Sequence, residues 1–163
     1  MTTKLYIILS FLIMMTNHTI AQSPQIIELS DSWRFSPDEQ NIGMVEKWYA
    51  LDFDDSHWAI LDAGKRWEDQ GYPNIDSLAW YRKIVHIPSD WKGEYVWLII
   101  GGVNDAYMLF VNGEPVNSFG DRTSMSIAEK TTATEVSKYL NYGEPNLITV
   151  QVYDWGKDRK SVV

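Results

Sequence analysis

The stretch DAYMLFVNGEPVNSF, residues 105–119, decides the fold class. Two runs suited to β-strands flank the dipeptide Asn112-Gly113, which is favoured in a type I′ turn because both central residues need a positive φ. The stretch therefore predicts an antiparallel hairpin. From Ile26 onward the same alternation of short apolar runs and turn signals continues, without long helical periodicity, which indicates an all-β chain.

Several further runs predict strands, namely IIEL with WRF, SLAWYRKIVHIP, EYVWLIIGGV and NLITVQVYDW. In the last of these runs, Ile148, Val150 and Val152 share one face. The run AWYRKIVHIP has no cleanly polar face, so we expect that strand to be mostly covered. The long segment GMVEKWYALDFDDSHWAILDAG reads as an irregular excursion with one short helical turn. Five or more strands with long irregular connections predict an all-β jelly-roll β-sandwich.

The N-terminus carries the pattern of a secretory signal peptide. Lys4 precedes an apolar run of about eleven residues, and the small residue Ala21 follows at cleavage distance. The run is too short for a membrane span, which needs about 20 apolar residues. We therefore expect residues 1–21 to be removed and residues 22–163 to form one secreted or periplasmic β-sandwich domain in a bacterium, with no membrane attachment after cleavage.

The charge balance limits the classes of partner. Removing Lys4 from the 14 basic residues leaves 13 against 22 acidic ones, a net charge of −9 for the predicted mature chain. Nucleic-acid binding depends on clustered Lys and Arg, so this balance excludes nucleic acid as the expected partner. It suits a protein that handles neutral molecules.

The sequence offers little catalytic or metal-binding machinery. It has no cysteine and no GxSxG elbow, and the predicted mature chain holds only His57 and His86 as histidines. No spacing of possible ligands resembles a zinc motif, so neither a metal nor a cofactor is predicted. The cluster Asp54, Asp55 and Ser56 is better explained as a turn whose side chains bond nearby backbone N–H groups.

The stretch WEDQGY, residues 67–72, is the most informative place for a binding site. Sugars stack on exposed aromatic rings while polar groups fix their orientation, and Trp67, Glu68 and Tyr72 supply those groups on a predicted loop. Glu68 and Asp69 lack a second carboxylate partner, so a self-contained glycosidase site is not expected. The alternative is that these aromatic residues fill the core; that is the prediction for Trp33, Trp58, Trp97 and Trp155, which lie inside strand-like runs.

The ordered series of motifs resembles a known family. WRF, FDDSHW, WEDQGY, AWYRKIVHIPSDWKGEYVWLIIGGV, AYMLFVNGEPV, TEVSKYL and GEPNLITVQVYDW occur in this order over about residues 26–155. Together they resemble the sugar-binding, galactose-binding-like jelly-roll domain at the N-terminus of glycoside hydrolase family 2 enzymes, which include β-galactosidases and β-glucuronidases. Related domains accompany sialate O-acetylesterases.

The resemblance implies a non-catalytic domain whose partner is a neutral glycan or a catalytic glycosidase domain, because the catalytic glutamates of those enzymes lie in a downstream barrel. By motif, Trp67, Glu68 and Tyr72 match the loop that faces the catalytic side in some members. Trp80 and Arg82 match a structural motif, with Arg82 expected to pair across the sheet. Asn112 and Gly113 match the structural hairpin.

The resemblance leaves the parent protein open. After VYDWG, related domains continue with glycines into the next domain, whereas this sequence reads KDRKSVV. A truncated or frameshifted gene product and a free-standing carbohydrate-binding module both fit this departure. An accessory domain of a sialate O-acetylesterase-like enzyme and an adhesion or assembly domain are further alternatives.

Overall fold

The described residues form eight β-strands and three short 3₁₀ turns. The computed structural model describes residues 24–73, 75, 77–103, 106–120 and 130–153. The strands are β1 Trp33–Asp38, β2 Ala59–Leu61, β3 Leu78–His86, β4 Trp97–Val103, β5 Ala106–Val111, β6 Glu114–Phe119, β7 Lys130–Glu135 and β8 Pro145–Tyr153. The 3₁₀ turns are Glu68–Gln70, Ser89–Trp91 and Ser137–Tyr139.

The strands form two antiparallel sheets that confirm the predicted β-sandwich. The larger sheet has six strands in the order β2-β1-β3-β8-β5-β6, and the smaller sheet pairs β4 with β7. Strands β3 and β8 lie at the centre of the larger sheet and pair along their whole length, from Leu78 opposite Tyr153 to His86 opposite Pro145.

The main core lies on one face of the six-stranded sheet. Strand β8 contributes Ile148, Val150 and Val152 to this core, as predicted from their shared face, and β3 contributes Tyr81 and Val85. The inward side chains of β4 pack against the same core, so apolar residues on both sheets leave water together.

The opposite face of the six-stranded sheet is covered by residues 39–58, which overlap the excursion predicted for residues 43–64. Its tryptophans Trp48 and Trp58 pack with Trp80 of β3 and Phe110 of β5 in a second apolar cluster. The segment consists of turns, and one i→i−4 hydrogen bond of 2.9 Å, from Glu46 N–H to the Ile42 carbonyl, marks a single helical turn within it. The predicted short helical turn is therefore present, but the prediction of an irregular excursion over residues 43–64 is wrong at Ala59–Leu61, which form strand β2.

The predicted hairpin joins β5 to β6. Asn112 and Gly113 have φ values of 52° and 83°, as a type I′ turn requires. The Asn112 amide also reaches Tyr139 O and Asn146 Oδ1 at 2.8 and 2.7 Å, and its Oδ1 accepts from Leu147 N–H at 2.9 Å. Asn112 therefore serves both the turn and a buried polar link to the last strand.

Some local predictions are wrong. The run IIEL is not a strand, and Ile26 is 75% exposed. Trp97 is 55% exposed rather than in or near the core, because it lies on the outward face of β4; Trp33 and Trp58 are buried as predicted. The expectation that β3 is mostly covered holds for its first half, whereas Ile84 faces solvent. Trp155 and the predicted signal peptide lie outside the described residues.

Candidate functional site

The WEDQGY stretch forms a tight turn that leads into β3. Glu68–Gln70 make one 3₁₀ turn, and the Trp67 carbonyl accepts hydrogen bonds from both Gln70 N–H and Tyr72 N–H at 3.0 Å. Gly71 ends the turn with a φ of 100°, a conformation that residues with a Cβ rarely adopt. The spacing of the motif therefore sets the path of the backbone.

Gln70 holds the base of this loop. Its Oε1 accepts from Asp62 N–H at 2.8 Å, and its Nε2 donates to the carbonyls of Asp62, Lys65 and Arg66 at 3.0, 3.2 and 3.3 Å. Sequence reasoning missed this residue, although an amide within a short loop can supply both donors and acceptors to nearby backbone. The bonds make the loop a rigid element.

The structure brings Trp67 and Tyr72 together through one neighbour, Phe35 of β1. The Phe35 ring centroid lies 5.8 Å from that of Trp67 and 4.9 Å from that of Tyr72. Trp67 is only 5% exposed and belongs to the main core, whereas Tyr72 is half-buried. In this arrangement the Trp67 ring has almost no surface for a sugar, and Tyr72 is the aromatic ring of the loop that remains reachable.

Glu68 lies beside the same apolar cluster. Its side chain is only 12% exposed, and its Oε2 lies 3.6 Å from Arg66 Nε in an ion pair. Burial, and secondarily the negative charge of Glu68, raise the pKa of Tyr81 well above its ordinary value. The charge of Glu68 therefore helps to keep the Tyr81 phenol protonated.

Two buried polar atoms at this place have no hydrogen-bond partner among the described residues. These are Nε1 of Trp67 and the hydroxyl of Tyr81. Buried donors almost always form a hydrogen bond to protein or to ordered water. Two buried donors without a hydrogen-bond partner in one cluster are therefore unusual. This cluster, comprising Trp67, Glu68, Tyr72 and Tyr81, is called the loop cluster below.

Trp80 lies on the other face of β3, as part of a closed polar arrangement. Its Nε1 donates to Asp38 Oδ2 at 3.0 Å, and the same carboxylate accepts from Ile42 N–H and Gly43 N–H at 2.8 and 2.9 Å. The backbone approaches so closely here that a Cβ on Gly43 would lie 2.4 Å from Trp80 Nε1. Trp80 therefore anchors the start of the 39–58 segment, which fits a structural residue.

Arg82 does not pair across the sheet as expected. Its Nε donates to Asp55 Oδ2 at 2.7 Å, and its other nitrogens donate to the carbonyls of Trp48, Ala50 and Phe53. The opposite position on β1 is another arginine, Arg34, which offers no acceptor side chain. Arg82 instead ties the 39–58 segment to the sheet.

In the cluster of Asp54, Asp55 and Ser56, Asp54 has the predicted turn role, whereas the prediction is wrong for Asp55, because its carboxylate accepts from Arg82 Nε rather than from a backbone N–H. Asp54 Oδ1 accepts from Ser56 N–H at 2.9 Å, and hydrogen bonds from Ser56 lower the pKa of Asp54. Within the described residues, no group of three or more His, Asp or Glu side chains is placed to hold a metal ion. No helix among those residues is long and apolar enough to cross a bilayer.

A small pocket opens where strands of the six-stranded sheet end. It has a volume of about 190 Å³, and its walls include Leu78, Met108, Ser118, Gln151 and Tyr153. Gln151 is 1% exposed. The walls are mainly apolar, and the volume is below the about 300 Å³ at which small-molecule sites begin.

Comparisons with known proteins agree with this architecture. Residues 26–163 match the family described as glycosyl hydrolases family 2, sugar binding domain. The chain is 27% identical over 151 residues to a β-galactosidase of Priestia megaterium, covering 78% of this chain and 14% of that protein. It is 30% identical over 96 residues to a β-glucuronidase of Paenibacillus borealis, covering 58% of this chain and 16% of that protein.

Solved structures show the same fold. The β-glucuronidase of Ruminococcus gnavus, in complex with an N1-substituted uronic isofagomine, superposes with a TM-score of 0.66 at 18% identity, over 77% of this chain and 21% of that one. The unliganded enzyme gives a TM-score of 0.65. The chain thus spans only a small part of the length of these relatives. It belongs to the sugar-binding domain family of the family 2 glycosyl hydrolases.

Proposed function

We propose that this domain supports the hydrolysis of glycosides by a family 2 type catalytic domain, without supplying catalytic carboxylates of its own. The observation that carries the proposal is the family match over residues 26–163, together with relatives named β-galactosidase and β-glucuronidase. The partner is a catalytic glycosidase domain, and the substrate class is a glycan.

The loop cluster is the part of the domain that we assign to this role. The turn is held by Gln70 and Gly71, so it presents Tyr72 and the partly exposed Arg66–Glu68 pair in one geometry. The buried Nε1 of Trp67 and the hydroxyl of Tyr81, which have no partner among the described residues, belong to the same cluster. A rigid loop of this kind can complete the rim of a neighbouring pocket without itself stacking a sugar on Trp67.

A chimaera tests the proposal. The region of the Priestia megaterium β-galactosidase that matches this chain is replaced by residues 22–163, and hydrolysis of an aryl β-galactoside is compared with that of the enzyme lacking the region. The expected kcat/KM of the chimaera is at least tenfold above that of the deleted enzyme, and adding the separate domain to the deleted enzyme serves as a second test of support.

Residues 22–163 alone are expected to hydrolyse neither aryl galactosides nor aryl glucuronides. A folded chimaera that is no more active than the deletion would contradict the supporting role. Hydrolysis by the isolated domain, abolished by changing one carboxylate, would contradict the non-catalytic assignment.

Export is part of the same proposal. The pattern of residues 1–21 supports cleavage after Ala21 and delivery to the periplasm or the medium. The mass of the chain recovered from a bacterial host measures this directly, and the expected first residue is Gln22. Recovery of the full-length chain from the cytoplasm would contradict export.

A further inference from the structure

The smaller sheet presents a row of large apolar side chains to solvent. Tyr95, Trp97 and Ile99 are 83%, 55% and 65% exposed. They occupy alternate positions, so they project from one face of a single extended segment, called the aromatic row below. Antiparallel sheets commonly place polar residues on their solvent face, so this face departs from the usual pattern.

The outward direction of the aromatic row is set by its neighbours. Val96, Leu98 and Ile100 alternate with the row and pack against the main core. A slip of one residue would expose all three and bury the row. The backbone is also held in place, because Val96 N–H donates to Ser137 Oγ at 2.8 Å and its carbonyl accepts from Val136 N–H at 2.9 Å.

The neighbouring strand, β7, carries small or polar side chains beside the aromatic row, so these side chains leave the rings of the row uncovered. Ala133 lies opposite Ile99, and Glu135 lies opposite Trp97. Glu135 Oε1 accepts from Ser137 N–H at 2.8 Å, and hydrogen bonds from Ser137 lower the pKa of that carboxyl. An ionised acceptor therefore stands beside the Trp97 ring at neutral pH.

The spacing of the rings and the exposed area of the aromatic row indicate which kind of partner it can bind. Residues two apart on a strand are separated by about 6.5–7 Å, so Tyr95 and Trp97 offer two rings at a spacing that adjoining units of an oligosaccharide can span. The exposed apolar area of the three side chains is about 400 Å², whereas a stable protein interface buries about 800 Å² on each partner. A narrow aromatic row flanked by a carboxylate suits the C–H faces and hydroxyls of a sugar better than a protein.

We propose that the aromatic row binds a neutral oligosaccharide, with sugar rings stacked on Tyr95 and Trp97 and a sugar hydroxyl donating to Glu135. The net charge of −8 of the chain and the local carboxylate disfavour an anionic glycan. This site is separate from the loop cluster, and it does not require a catalytic partner.

The test uses the purified chain and a panel of soluble neutral oligosaccharides of four to six units, with β-galactan, β-glucan and β-mannan fragments as probes. Calorimetric titration measures Kd for the native chain and for Trp97→Ala and Tyr95→Ala. Ile84→Ala is the matched control, because Ile84 is 63% exposed on the other sheet. Binding is expected to weaken about tenfold in each row variant and to stay unchanged in the control, with thermal stability preserved in all three.

Three results would overturn the inference. These are the absence of binding across the panel, equal Kd values for the native chain and Trp97→Ala, and a concentration-dependent dimer in sedimentation that Trp97→Ala abolishes. The row variants are also expected to leave the activity of the galactosidase chimaera unchanged. Failure of glycan binding and failure of the supporting role are therefore distinguishable.

Discussion

The two faces of strand β3 differ in whether the buried polar groups of the strand have hydrogen-bond partners. On one face, Trp80 and Arg82 find acceptors for their N–H groups in Asp38, Asp55 and backbone carbonyls. On the other face, Tyr81 lies buried with a hydroxyl that has no partner among the described residues. Trp80 and Arg82 thus belong to a hydrogen-bond network, whereas Tyr81, which lies between them in the strand, has a hydroxyl outside any network among the described residues.

The contrast separates two kinds of buried polar group within one strand. A completed buried network stabilises a single arrangement, here the attachment of the 39–58 segment to the sheet. A buried polar group without a partner costs about 1–3 kcal/mol, so it is retained where water or another molecule satisfies it. Trp80 and Arg82 therefore have a structural role, whereas Tyr81 is a buried group that water or another molecule is expected to satisfy, as is Thr149 Oγ1, which lies opposite Arg82 on the face away from Tyr81.

Removing Arg82 is expected to have the largest effect on stability. Arg82→Met deprives Asp55 and the carbonyls of Trp48, Ala50 and Phe53 of a shared donor. The free energy of unfolding should fall by about 3 kcal/mol, the lower end for a broken buried pair, because Asp55 is partly exposed and can be hydrated. Urea unfolding followed by tryptophan fluorescence measures the change.

Asp55→Asn is the matched control for Arg82→Met. It removes only the negative charge of one partner, because the asparagine amide oxygen can still accept a hydrogen bond, and it leaves the bonds to the carbonyls, so a loss of about 1 kcal/mol is expected. Equal losses in the two variants would mean that the ion pair, and not the bonds to the segment, carries the stability. The hydrogen bonds from Arg82 to the 39–58 segment would then not account for the stability assigned to that face of β3.

The sequence predicted the sandwich because turn chemistry and alternation act locally. Asn112-Gly113 needs only its own backbone angles to define a hairpin, and the face shared by Ile148, Val150 and Val152 follows from the strand period. The exposure of Trp97 could not be predicted, because its run is apolar on both faces and only the pairing of β4 with β7 shows which face is outward.

The loop of the candidate site was predicted from the sequence, but the orientation of its side chains was not. WEDQGY was identified as a loop, yet whether Trp67 faces solvent or Phe35 depends on a contact between residues 32 positions apart. Gln70 was overlooked because its four bonds go to backbone groups, which look alike in any sequence. The orientation of Trp67 and the hydrogen bonds of Gln70 depend on which distant backbone segments the fold brings beside them.

A pair of tryptophan variants sharpens the comparison. Trp80 and Trp67 are 0% and 5% exposed, and each loses the same ring volume on replacement by phenylalanine. Trp80→Phe also removes a hydrogen bond to a carboxylate, whereas Trp67→Phe removes an unpaired N–H. We expect Trp80→Phe to cost about 2 kcal/mol more in unfolding free energy, measured in parallel urea titrations. An equal cost would show that Trp67 Nε1 is satisfied by bound water.

The smallest expected effect at neutral pH is that of Tyr81→Phe. Deleting a buried hydroxyl that has no partner removes its desolvation cost, so the variant should be as stable as the native chain or about 1 kcal/mol more stable at pH 7. A loss of stability at pH 7 would indicate an ordered water on the hydroxyl.

The same variant carries a pH signature with a definite sign. Burial first, and the charge of Glu68 second, raise the pKa of Tyr81 in the folded chain, so the phenol keeps its proton there when the unfolded chain has already released it. The stability that the neutral phenol contributes is fully present below the unfolded-state pKa of about 10 and is lost as the pH rises above it. Unfolding free energies between pH 8 and 11 should therefore fall more steeply for the native chain than for Tyr81→Phe. Parallel slopes would mean that the phenol ionises as easily in the folded domain as in the unfolded chain, and the loop cluster would then be open to water.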